Sequence, residues 1–473
     1  MDSTSPVPQR LSGKRAVVIG GSMTGLVTAR VLSDHFEEVT LIERDVLGDE
    51  LTTARKGVPQ GRHLHILLAR GEQILSQLFP GFVPGLVQEG AELLDFGRDL
   101  AWFFYGSWLV RTDDSLPMIC VSRPLLEAHV RRRVFATRGV RKLDGHEVSG
   151  LRTTPDRQRV TGVTVQRPGD PSSAEALEAD LVVEASGRGS RLPTWLEGLG
   201  YPRPEETSIE IDLGYATRLY RQPSPSPYPW KALYVQDATP SRRQGVITPV
   251  EGGRWIVTLA GILGEHPPRD PQGFLDFAKS LQHDELYRAV SSAEPLSDIE
   301  VYRFPAHLRR HYERLPRFPE GLVVAGDAST SFSPTFGQGM SAACLTAMAL
   351  DQALVAQRQR RGPGNLTGLP RHYHSAAAKA TLQPWLLASG EDFRFPEVKG
   401  QRPLSFTMMR WFVKHLLRAA RTDAVVYKRF MRITHLLSPV EELLDPRVLV
   451  RVMRAPDVSS TGEPFASTLK KTG

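Results

Sequence analysis

The chain has 473 residues, 41% hydrophobic and 23% charged, which fits two domains or one large composite domain with a sizeable core. Its 59 Lys and Arg against 52 Asp and Glu give a net charge of +7, but the basic residues are dispersed and no nucleic-acid-binding motif accompanies them, so nucleic acid is not an expected partner. Only Cys120 and Cys344 are present, which argues against a disulfide framework and for a reducing compartment.

The opening, MDSTSPVPQRLSGKR, is polar and leads straight into a strand, so no secretory leader is expected and a cytoplasmic location is. Residues 15–45, RAVVIGGSMTGLVTARVLSDHFEEVTLIERD, read as a buried strand, a glycine turn, a helix and a second strand ending in an acid. This is a βαβ unit with a dinucleotide-binding fingerprint. Gly20 permits the tight turn, Ser22 replaces the middle glycine with the smallest polar side chain, and Gly25 lets helix and strand pack closely. The helix N-terminus offers free N–H groups to a pyrophosphate. Glu43, at the end of the second strand, is placed to accept ribose hydroxyls. An ordinary βαβ unit with a coincidental turn is the alternative. The unit stands at the N-terminus and no second fingerprint follows, which favours FAD over NAD.

Residues 76–116 and 191–299 lack nucleotide motifs. LGYATRLY, KALYVQ, QGVITPV and RWIVTLAG read as strands between turn-rich pieces, an antiparallel sheet able to wall a substrate cavity. Tyr215, Trp255 and Trp102 are candidate cavity walls, with ordinary core positions the alternative. Residues 152–178 read as a polar surface hairpin.

In VVAGDASTSFSPTFGQGMSA (323–342) a buried strand ends at a lone acid, and a turn of small residues leads into an Ala-rich helix. Asp327 can accept the ribityl hydroxyls of a flavin. Gly337 and Gly339 let backbone approach the ring, and a helix N-terminus begins there. A capped buried helix is the alternative. The apolar run AACLTAMALDQALVA in this helix is broken by Asp351 and falls short of a bilayer span. Residues 371–454 read as helical, and their basic amphipathic stretch either caps a cavity or rests on a membrane surface. The tail, 455–473, is expected to be disordered.

GGSMTGL…LIER, SRPLLEAHV, DLVVEASGRGS and GDASTSFSPTFGQGMS occur in that order over most of residues 14–356. Together they resemble the FAD-dependent monooxygenases of the aromatic-hydroxylase superfamily. RKGVPQGRHLH, ASGRGS and GQGMSAA are most similar to the flavin epoxidases of polyether-antibiotic pathways. The resemblance implies an α/β fold: a Rossmann-like FAD-binding domain from residues 14–75, 117–190 and 300–356, interleaved with an antiparallel β-sheet substrate-binding domain from 76–116 and 191–299. C-terminal helices over 371–454 would cap it.

By that resemblance Glu43 and Arg44 hold the adenosine ribose, Val148 lies beside the adenine, and Arg55 faces the pyrophosphate. Arg123 reaches the sugar-phosphate, Asp327 binds the ribityl chain, and the turn through Gly337, Gly339 and Met340 approaches the ring. The implied reaction inserts one oxygen atom of O2 through a C4a-hydroperoxyflavin. Its finer form is epoxidation of a large hydrophobic polyketide- or terpenoid-like intermediate of secondary metabolism, as in antibiotic biosynthesis. Aromatic-ring hydroxylation and isoprenoid reduction are the alternatives. Halogenation is disfavoured, because the chain has no Trp-x-Trp-x-Ile-Pro segment. No metal is implied. His63 and His65 are the candidates for contact with peroxide or substrate, with structural roles the alternative. Where the superfamily usually carries an Asp-Gly pair, this chain has Ser186-Gly187. Reducing equivalents come either from NAD(P)H directly or through a separate flavin reductase, which the serine fits better.

Overall fold

The computed structural model describes residues 11–48, 54–113, 116–402 and 406–455, so the expectation of a disordered tail falls outside the described residues. Five parallel strands form a central sheet in the order Leu322–Val324, Leu181–Glu184, Gly13–Ile19, Phe36–Glu43, Val140–Asp144. Parallel strands are buried on both faces and read as continuous apolar runs, as AVVI and LVV do. Side-chain alternation divides them between two cores. Ala16 and Val18 pack with the helices Met23–Leu32, Arg123–Phe135 and Gln338–Arg361. Val17 and Ile19 pack with Val148, Val160 and Val163 of a three-stranded antiparallel sheet built from residues 147–178.

A second sheet has eight strands, in the order Thr330–Ser331, Glu300–Arg310, Glu206–Arg221, Arg254–Gly261, Arg243–Val250, Ala232–Gln236, Leu100–Phe104, Ser107–Trp108. It is not wholly antiparallel: Ala232–Gln236 and Leu100–Phe104 run parallel. A hairpin cannot join parallel neighbours, and here the connection runs through much of the piece expected to bind the nucleotide. Strand Glu300–Arg310, expected with that piece, instead pairs with Glu206–Arg221 in the large sheet. Within 76–116, read as strands, Phe82–Gln88 is helical.

One face of the large sheet packs on the helices Pro271–Lys279 and Glu285–Ser291. Pairing register sets two rows of side chains on the other face. Tyr302, Tyr215, Ala260, Gln244 and Gln236 form one; Thr217, Thr258, Val246, Tyr234 and Trp102 form the other.

The C-terminal region is helical but divided. Leu369–Ala380 packs against the long helix Gln338–Arg361 and belongs with the first core. Helix Leu382–Asp392 contributes Trp385 and Ala388 to a core against Glu206–Arg221 and Glu300–Arg310. The amphipathic stretch is two helices, Phe406–Ala419 and Ala424–Thr434. Asp423 separates them, because its carboxylate accepts from the N–H groups of Val425 (2.9 Å) and Val426 (3.2 Å) and so caps a new helix. Gln338–Arg361 is long and apolar enough to cross a bilayer, although its apolar run alone seemed too short. More than half of its apolar window is buried in the protein, as in a core helix.

The first turn tolerates no side chain at Gly25, where a methyl group would lie 1.8 Å from the Gly20 carbonyl oxygen. Gly25→Ala should therefore cost roughly 2–3 kcal/mol, the upper range for forced overpacking, read as a lower urea midpoint of unfolding.

Candidate cofactor and substrate site

The carboxyl ends of the central strands open into a cavity of about 560 Å³ that runs to the large sheet. At one end lie Gly20, Gly21, Ser22, Glu43, Arg44 and Val148; at the other, Tyr215, Tyr302, Phe304, Pro334 and Gly337. His65, Arg123, Asp327, Gly339 and Met340 also line it. Of the predicted site residues, Gly25, Arg55 and His63 do not.

The glycine turn is set by contacts that only glycine permits. Gly20 has φ +104°, and a methyl group there would lie 2.5 Å from the Ala185 carbonyl oxygen. Glu43 braces the turn from the next strand: its carboxylate accepts from the N–H groups of Gly21 (2.8 Å) and Asp45 (3.0 Å). Ser22 is the N-cap of Met23–Leu32 but makes no capping bond. Its hydroxyl instead donates to Glu127 Oε2 (3.2 Å) and accepts from Arg123 Nη2 (2.9 Å). The N-terminal amides of that helix therefore face the cavity without a side-chain cap.

Arg123 is 5% exposed at the start of its own helix and pairs with Glu127 at 2.6 Å. Its Nε and Nη1 are buried without a partner. Leaving two nitrogens of a guanidinium unpaired is costly unless an anion completes the set. Burial alone would raise the Glu127 carboxyl; Arg123 and Arg55 outweigh it and hold the group below the usual range. Arg55 thus sits in an ion-pair cage with Glu127 (2.6 Å), Glu43 (3.3 Å) and Asp45 (3.3 Å), beside a neighbouring pocket of about 430 Å³. Its Nη2 reaches the Gly21 carbonyl (3.2 Å), so it touches the turn from behind.

At the centre of the cavity, desolvation pushes Asp327 up to about 6, only partly offset by Arg188 and Arg123. Arg188, missed in the sequence reading, lies 5.0 Å above the Phe304 ring. Tyr302 and Phe304 were also missed, although their alternation on one strand was a readable signal. Glu127, four residues after Arg123, was readable from helical spacing.

The two histidines differ. His63 is 2% exposed; its Nδ1 meets Thr217 Oγ1 (2.8 Å), which meets Thr258 Oγ1 (2.7 Å). Burial lowers its pKa to about 3. It is a structural link between the first unit and the large sheet. His65 donates from Nδ1 to the His63 carbonyl (3.0 Å), leaving Nε2 as an acceptor. Burial, then Arg123, lowers it to about 4, so it is neutral at physiological pH.

A narrower pocket of about 60 Å³ adjoins the large cavity, sharing Leu64, Ile66, Tyr215, Pro334 and Gly337 with it. Val246, Ala260, Tyr234, Gln244 and Thr258 of the large sheet wall it. Trp102 stacks on Tyr234 and lines neither of these two cavities, and Trp255 is buried on the opposite face of the sheet. Among the described residues, no group of His, Cys, Asp and Glu is placed to hold a metal ion.

This architecture is shared with flavin-dependent enzymes. A flavoprotein/dehydrogenase from Cytophaga hutchinsonii aligns over 93% of this chain and 96% of its own, with a TM-score of 0.64 at 14% identity. The flavin-dependent brominase Bmp2 aligns over 89% and 93%, with a TM-score of 0.63 at 14% identity. PqsL from Pseudomonas aeruginosa, described as a probable FAD-dependent monooxygenase, aligns over 81% and 97%, with a TM-score of 0.58 at 16% identity. The chain thus has the fold of FAD-dependent oxidoreductases. In sequence it is 36% identical over 435 residues to protein Rv3254 of Mycobacterium tuberculosis, covering 88% of each chain, and it belongs to that protein's family. No protein-family model matches the chain.

Asp327 makes the site's cost measurable. Its folded-state pKa of about 6 exceeds the ordinary 3.8, so its contribution to stability is complete below pH 3.8 and is lost as pH rises through 6. At about 1.4 kcal/mol per pK unit, Asp327→Asn should stabilise the cofactor-free protein by up to about 3 kcal/mol at neutral pH and leave it unchanged at acid pH. Thermal melts of both proteins across that range check the sign.

Proposed function

We propose that the protein is an FAD-dependent monooxygenase. The observation that carries this reading is the buried Arg123, with two unpaired nitrogens beside an uncapped helix N-terminus, in one cavity with the desolvated Asp327. A long ligand with an anionic middle and a hydroxylated arm would satisfy both, and FAD has that chemistry. Glu43 and Arg44 would hold its adenosine ribose, with Val148 beside the adenine. The glycine turn and Arg123 would hold the pyrophosphate, Asp327 the ribityl hydroxyls, and Gly337, Gly339 and Met340 would approach the ring. Bound and reduced, FAD would supply the two electrons with which one oxygen atom of O2 passes to an electron-rich substrate and the other leaves as water.

The chain's own residues then position substrate and exclude water. Leu64, Ile66, Val246, Ala260 and Pro334 give the adjoining pocket apolar walls. Tyr234 donates to Gln244 Oε1 (2.9 Å), so the polar groups of that wall are partly satisfied without substrate. His65, neutral and with Nε2 free, can hold a donor group of cofactor or substrate but does not serve as an acid. The substrate we favour is an alkene of a hydrophobic polyketide- or terpenoid-like molecule. The apolar walls of the narrow pocket support a hydrocarbon segment as the part bound there, and epoxidation needs no nucleophile or strong base.

Ser186 lines the cavity where relatives of the aromatic-hydroxylase type carry an acid, and its hydroxyl is engaged by Glu184. This supports a separate flavin reductase as the source of reducing equivalents.

Fluorescence titration should show FAD binding to the wild type, and Arg123→Ala and Asp327→Ala should weaken it by roughly ten- to a hundredfold, as expected for lost charge-assisted hydrogen bonds. A wild type that does not bind FAD overturns the reading. With reduced holoenzyme, heavy-isotope O2 and a panel of alkenes, each product should carry one heavy oxygen atom. A saturated product without label would instead make the enzyme a reductase. NADPH alone should reduce the bound flavin slowly, and addition of a flavin reductase should speed turnover.

A further inference from the structure

The turn that divides the two cavities hangs on a buried histidine that the reading above does not use. His307, 0% exposed on strand Glu300–Arg310, accepts from the Ser333 N–H at Nδ1 (3.2 Å). That nitrogen therefore carries no proton. Nε2 carries it and donates to Asp392 Oδ2 at 2.6 Å. Asp392 is the last residue of helix Leu382–Asp392. Phe304 and Trp385 pack edge-on against the imidazole, with ring centroids 6.1 and 5.8 Å away, which fixes its plane.

Ser333 leads into the short turn Pro334–Phe336 and then Gly337, which has φ +64°. Pro334 and Gly337 line both cavities. The side-chain bonds that reach Thr335 from the large sheet are long: 3.5 Å from Tyr234 and 3.4 Å from Gln244. The bond from Ser333 to His307 is the shorter and the buried one. Glu391, next to Asp392, anchors the same helix end elsewhere. It accepts from Tyr105 (3.1 Å) and Gln236 (3.2 Å) and pairs with Arg394 (3.0 Å). The helix end is thus fixed to the sheet independently, and His307 passes that fixed position to the turn.

We propose that His307 is a positioning residue that sets the Ser333–Gly337 turn against the ring end of the cofactor cavity and locks it to the helix Leu382–Asp392 through Asp392. The inference rests on FAD occupying the large cavity. A histidine that only filled space would not depend on which ring nitrogen is kept. Asn places its amide near the position of Nδ1, and Gln places its amide near that of Nε2, so the two contacts can be kept one at a time.

The test compares holoenzyme of the wild type, His307→Asn and His307→Gln by visible flavin absorbance and FAD affinity, with melting of the cofactor-free proteins in parallel. His307→Asn should keep the wild-type flavin spectrum and bind FAD within about threefold. His307→Gln should shift the spectrum and weaken FAD by roughly tenfold or more, because the buried Ser333 N–H loses its acceptor. Equal effects of the two variants, or an unchanged spectrum in both, overturn the proposal while FAD binding by the wild type leaves the function standing. A wild type without FAD overturns both. If neither variant folds, Asp392→Asn and Asp392→Ala decide. Asn keeps an acceptor for Nε2–H and should retain the spectrum, Ala should shift it, and identical behaviour overturns the proposal.

Discussion

A guanidinium buried beside a glycine turn is the constraint on which the rest of the site depends. Removing Arg123 from water costs several kcal/mol unless its charge is met. Glu127 meets half of it from one helical turn away, and the Ser22 hydroxyl ties the pair to the first loop. Arg55 closes the arrangement by balancing the second oxygen of Glu127 against Glu43 and Asp45. Three separate stretches of chain are thereby held at the carboxyl end of one parallel sheet, where ligands bind in open α/β folds. The nitrogens left without a partner, Nε and Nη1 of Arg123, belong to a side chain that lines the cavity.

The same economy governs the other end. Asp327 is half-buried at a strand end with no short ion pair, and desolvation holds its carboxyl above the usual range. From Arg123 past Asp327 the cavity wall becomes more aromatic, at Tyr215, Tyr302 and Phe304, with Arg188 over the last of these rings. That gradient suits a cofactor that is charged in its middle and flat and apolar at its reactive end. It also explains why neither histidine near the ring end is set up as an acid: one is bonded to threonine and both are held neutral by burial.

Much of this was legible in the sequence because it is local. The tight turn at Gly20 and Gly25, the acid ending the second strand and Asp327 before a glycine-rich turn all follow from short spacings, whereas Arg123 came from the family resemblance. What was not legible depends on distant partners. Arg55 was expected to face a phosphate, but its carboxylate partners lie up to 72 residues away. Residues 300–310 were grouped with the FAD-binding piece by resemblance, whereas the strand they form pairs with Glu206–Arg221, a partner some hundred residues away that no local pattern names. The division of the basic amphipathic stretch, by contrast, was written locally: Asp423 before an apolar run is an ordinary capping signal, and helical periodicity on both sides masked it. The His307–Asp392 link joins residues 85 apart and has no motif at all.

The parallel pairing of Ala232–Gln236 with Leu100–Phe104 bears on how the chain reaches this state. One partner is made before the stretch that supplies Arg123 and the strand Leu181–Glu184, and the other after it. The large sheet therefore gains its outer strands only when a long loop closes across the unit built on the five-stranded parallel sheet, a contact of high sequence separation. The two units are not separable modules joined by a linker. A fragment beginning after the first unit would lack the outermost pair of strands, leaving Ala232–Gln236 as a bare edge prone to pairing with other chains. Assembly should be slow, cooperative over both sheets and sensitive to anything that delays the first unit.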